Sequence, residues 1–111
     1  MQGTSRSELA VALDRCARRC EEAASAHVER RRGEARDEVV SSLLLAAAAM
    51  DTAGRVVDDH DPARAIALLI TVTLAGDAID AVERRGLDEP LLRCVTELRQ
   101  VAALCERELD D

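Results

Sequence analysis

Four cysteines offer this chain its most distinctive chemistry. Cys16-Ala17-Arg18-Arg19-Cys20 sets two of them four residues apart, which on a helix stacks both thiols on one face, one turn from each other. Thiolates so placed can share one soft ion, and Cu(I) is the ion that thiolate and thioether sulfur selects. Cys94, Cys105 and the thioether of Met50 complete the sulfur set, and His27 is the histidine that falls on an inward-facing position. Buried cysteine also serves as a small apolar filler, so a core-packing role stands beside the metal-binding one, and a disulfide between helices stands behind both. His60, among Asp58, Asp59 and Asp61, fits a solvated loop and helix cap better than a hard-metal site. Arg30, Arg31 and Arg32 suit a helix C-terminus better than a phosphate. No Ser-His-Asp or Cys-His-Asp set and no glycine-rich phosphate loop stands out, so the chain is not expected to be an enzyme.

The elements that must position these residues are helices. Apolar residues recur at alternating three and four positions: Leu9, Leu13, Cys16, Cys20, Ala23, His27; then Val40, Leu43, Ala47, Met50, Gly54, Val57; then Leu68, Thr71, Ala75, Ala78, Val82; then Leu91, Cys94, Leu98, Val101, Cys105. Ser5 to Glu8 reads as a capping box, Gly33 and Gly86 as stops after arginines, and Asp61-Pro62 and Asp88 as starts. The expected architecture is all-α, one antiparallel up-down-up-down four-helix bundle over 1–111, with helices at roughly 6–32, 34–57, 62–85 and 89–109. With the breaks near Gly33, His60 and Leu87 as mirror points, Cys16 falls level with Met50 and Cys105, and Cys94 level with His27.

Composition narrows the functional classes. The 111 residues hold no Phe, Tyr or Trp and 48% hydrophobic residues, nearly all Ala, Leu and Val. All 15 basic residues are arginine, against 22 acidic ones, and the net charge of −7 argues against nucleic acid as a partner. Met1 to Ala10 hold no signal-like apolar stretch, and no apolar run approaches the ~20 residues of a membrane span, so a soluble cytoplasmic protein with no membrane partner is expected.

On these residues the chain resembles the four-helix-bundle copper storage proteins of bacteria. That family lines the bundle interior with CxxxC pairs, and the stretch Arg93-Cys94-Val95-Thr96-Glu97-Leu98-Arg99-Gln100-Val101-Ala102-Ala103-Leu104-Cys105-Glu106-Arg107 is similar to its repeated cysteine phrase. Cys94 and Cys105 keep two of the family's positions while Leu98 and Val101 replace two; Cys16 and Cys20 keep two more, with Ala23 and His27 at the next. The third helix keeps the spacing with no cysteine, and Met50-Asp51 stands near the family's Asp-Cys-Ala phrase.

The resemblance implies a cysteine-depleted member that binds at most a few Cu(I) ions, with Cys16, Cys20, Cys94, Cys105, Met50 and His27 as the ligand candidates, and it implies a homo-oligomer, a tetramer in the family. The alternative is a metal-free helical module for self-association or partner docking, since Leu68, Leu69, Ile70, Val72 and Leu74 exceed what one narrow seam holds. A small apolar ligand in an alanine-lined cavity is the third reading, which large residues reaching inward would exclude.

Overall fold

Heptad spacing that alternates three and four leaves each helix one apolar seam to bury, and four such seams can bury one another. The computed structural model, which describes residues 7–30, 38–59, 62–85 and 89–110, has this arrangement. Its elements are α1 (Glu8–Arg30), α2 (Glu38–Val56), α3 (Ala63–Arg85) and α4 (Glu89–Asp110). Each helix packs on its neighbour in sequence and α1 closes the ring on α4, so the fold is the expected four-helix bundle. Among the described residues there is no strand.

Every seam residue named from the sequence is buried. On α2 the deepest line is Val39, Leu43, Ala46, Met50, Ala53 and Val57, one residue from the line read off the sequence; Val40, Ala47 and Gly54 form a buried flank beside it. The same flank on α1 is Ala10, Ala17 and Ala24, seven residues apart and all small. Since the other side of α1, with Arg19 and Cys20, meets α4, this alanine flank turns toward α2. Small side chains there let two backbones approach closely, and α1 with α2 is the most extensive helix pair while α1 with α4 is the least.

The ends are held by polar contacts that sequence reading placed slightly differently. Ser7 caps α1: its hydroxyl accepts the Ala10 N–H at 3.1 Å and its own N–H donates to Asp58 Oδ2 at 3.1 Å. Ser5, Arg31, Arg32, Gly33, His60, Asp61, Gly86 and Asp88, to which sequence reading gave caps, stops or a possible metal role, lie outside the described residues. Arg64 fastens one end of the bundle: its Nε donates to the Val57 carbonyl at 2.8 Å, and its Nη2 pairs with Glu108. The carbonyl so satisfied is one that the end of α2 would otherwise leave open.

α2 and α3 are each long and apolar enough, by length and composition, to cross a membrane. Only part of that apolar surface is seam; the rest faces outward, with Leu44 and Leu45 on α2 and Ile66, Leu69 and Ile70 on α3 exposed. The α3 surplus is the one the sequence shows, and α2 adds Leu44 and Leu45 to it.

Candidate metal centre

All four cysteines are reduced and buried, and all four stand on α1 and α4. The helix pair with the least contact thus carries every thiol of the chain. Heptad phase explains why they point inward: Cys16 and Cys20 occupy successive seam positions of α1, and Cys94 and Cys105 occupy seam positions of α4. Across the interior, Cys20 Sγ lies 3.4 Å from Cys94 Sγ. Sulfurs sharing one ion with bonds of ~2.3 Å stand about 4 Å apart, so a small adjustment opens this pair to a common ion.

Counting along antiparallel helices from that contact puts Leu98 opposite Cys16 and Leu9 opposite Cys105. The sequence-based heights for α4 are therefore corrected: Cys94 meets Cys20 rather than His27, and Cys105 stands toward Leu9 rather than level with Cys16. Both differences are two turns, ~10 Å of rise. The cause is the method of mirror points, in which an error of one residue at a turn moves the opposing position by two, and three turns separate α1 from α4. Only one turn separates α1 from α2, and there the count works: from the Ser7–Asp58 contact, Met50 falls opposite Arg15, one residue from Cys16. His27 is buried on the seam, two turns beyond Cys20. Among the described residues no group of three or more His, Cys, Asp or Glu side chains is gathered as a metal would need. The six candidates are therefore all interior, and two of them, Cys20 and Cys94, are brought into sulfur contact.

The electrostatics of the pair are unequal. Hydrogen bonding with Cys20 lowers the Cys94 thiol below its ordinary value, against burial and the Glu97 charge, with Arg19 assisting. Hydrogen bonding with Cys16 and Cys94, then burial, pushes the Cys20 thiol far up. The two thiols are thus shifted in opposite directions by one shared contact, in which either sulfur can donate. Cys105 is pushed up to about 11, by burial first and then by Cys16, Glu106 and Glu108. Over the pair, Arg19 Nε donates to Glu97 Oε2 at 2.6 Å, tying α1 to α4 at the level of the thiols. Sequence reading assigned Arg19 and Glu97 no role; their positions, one residue before Cys20 and three after Cys94, were the available signal.

No protein-family model, curated protein or solved structure matches the chain.

The interior also bears on the cavity-ligand reading. Leu13, Leu43, Met50, Leu68, Leu91 and Leu98 are fully buried and fill the space between the seams. Large residues reaching inward leave little room between the seams for an alanine-lined ligand cavity.

Proposed function

We propose that this chain binds Cu(I) through the Cys20–Cys94 thiol pair, as a cysteine-depleted relative of the copper storage bundles with capacity for one ion, or at most a few. The observation that carries the reading is the 3.4 Å contact between two buried sulfurs on different helices. Soft sulfur donors suit Cu(I), a monovalent ion that two thiolates suffice to hold, so the want of a third gathered ligand does not weaken the fit. The Cys94 thiol is lowered by its hydrogen bond with Cys20, and Cys16 stands one turn from Cys20 as a neighbouring donor. Multinuclear storage has little support in this interior, where Leu98, Val101, Ala23 and the whole α3 seam carry no ligand.

The test is titration of the reduced protein with Cu(I) against a competing chelator. Wild type is expected to hold about one ion against the competitor, and Cys20→Ser/Cys94→Ser to hold none. Cys105→Ser, two to three turns away, is expected to bind as wild type does. Equal binding by wild type and the double variant overturns the proposal.

A further inference from the structure

The outer faces of α2 and α3 are built for contact. Between Glu38 and Asp51 α2 carries no charged residue, and between Arg64 and Asp77 α3 carries none. Each uncharged run covers about 18 Å of helix. Its outward positions on α2 are Ser41, Leu44, Leu45 and Ala48, and on α3 Ile66, Leu69, Ile70 and Thr73, all exposed. Leu45, Ile66 and Leu69 are 56%, 61% and 58% exposed, where aliphatic side chains of a lone bundle would be covered or replaced by polar ones.

We infer that this face is the interface of a homodimer, with a second copy of the chain packed antiparallel through α2 and α3. Area supports a second copy. The five exposed aliphatic side chains present about 450–500 Å² of apolar surface, a little over half of the ~800 Å² per partner that a stable dimer buries, and close to the apolar share of such an interface. A two-fold axis uses this one patch twice, and no other surface is required. Charge excludes the other broad occupant: the chain carries −7, and Asp51, Asp77 and Asp80 border the patch, so an anionic membrane surface repels it.

Charge also sets the direction. Continuing along the outward stripe of α3, Thr73 is followed by Asp77 and Asp80, both exposed. A parallel pairing sets each aspartate against its own copy, which is repulsive. An antiparallel pairing about Ile70 separates them. It carries Asp77, about 10 Å from the axis, to the second copy's Ala63, where the positive end of the α3 dipole attracts it.

Sedimentation equilibrium on the full chain at micromolar concentrations tests the inference. Wild type is expected at twice its 12.0 kDa chain mass. Leu69→Glu/Ile70→Glu and, independently, Ile66→Arg are expected to sediment as monomers with unchanged helical circular dichroism. Val11→Glu/Val28→Glu, exposed positions on α1, is expected to remain a dimer. Mild oxidation is expected to cross-link Ile70→Cys into covalent dimers and to leave Asp77→Cys uncross-linked. A monomeric wild type, dimers that survive both α3 disruptions, or Asp77→Cys linking as readily as Ile70→Cys overturns it. Cosedimentation of monomers with phosphatidylserine vesicles overturns it as well.

Discussion

The α1–α4 half of the bundle and the α2–α3 half bury similar seams and differ in their thiols and in most of their outer surface. The first holds all four cysteines and covers its outside with Arg15, Arg18, Glu21, Glu22, Arg93, Arg99, Glu106 and Arg107. The second holds no thiol and exposes Leu44, Leu45, Ile66, Leu69 and Ile70. An average over the chain, at 48% hydrophobic and 33% charged, describes neither half. The division teaches that the two proposed tasks do not compete for surface. The thiol pair lies on the far side from the apolar face, so an altered interface leaves the sulfurs in place, and altered sulfurs leave the interface intact.

The sharpest way to break that picture is to compare two leucines on one helix. Leu43→Ala, in the α2 seam, is expected to cost about 2–5 kcal/mol in urea unfolding, since a fully buried side chain leaves a cavity. Leu45→Ala, two residues on and facing outward, is expected to change monomer stability by under ~0.5 kcal/mol. Equal losses at low protein concentration would erase the distinction between seam and outer face.

A second, smaller effect belongs to the cysteine half alone. Cys105 is raised to about 11 from an ordinary value near 9, so the folded chain keeps a proton that the unfolded chain has released between these values. The unfolded state then binds fewer protons, and stability is complete below pH ~9 and falls as pH rises toward 11, by about 1–2 kcal/mol. Cys20, also raised, acts in the same direction, and its partner Cys94, lowered, acts in the opposite one. Urea unfolding of Cys105→Ala is expected to show a shallower loss across that window, whereas Leu45→Ala keeps the wild-type slope.

The smallest expected change is a gain in the other half. Gly76 sits in the middle of α3, and a methyl group added there meets no neighbouring atom within 4 Å. Gly76→Ala is expected to raise stability by about 0.5–1 kcal/mol through helix propensity, read as a higher unfolding midpoint.

How legible these halves are in the sequence depends on the distance over which the signal must be carried. Burial of Leu13, Cys16, Leu68, Thr71, Leu98 and Cys105 follows from local spacing, because each helix fixes its own inward face. Level between helices is a longer inference. It works across one turn, for Met50 and Cys16, and misses by two turns across three, for Cys94 and His27. The Cys20–Cys94 contact was therefore out of reach, although both residues were recognised as inward-facing. The apolar outer face was half visible: the surplus of aliphatic residues in α3 was plain, but Leu44 and Leu45 of α2 were overlooked beside the alanines that follow them. Thr71 shows how a polar residue can sit on a seam without a functional role, its buried hydroxyl donating to the Ala67 carbonyl at 2.8 Å.

The sparse packing between α1 and α4 carries a kinetic consequence. A surface groove lined by Arg19, Ala23, Ala26, Pro90 and Arg93 runs along this seam, outside the thiols. A bundle breathes first where its helices hold each other least, so the expected route to Cys20 and Cys94 is a parting of α1 from α4 that leaves α2 and α3 together. The rate at which a small thiol reagent labels this pair is then a clock for that opening. It runs faster than global unfolding, and it slows when an ion bridges the two helices.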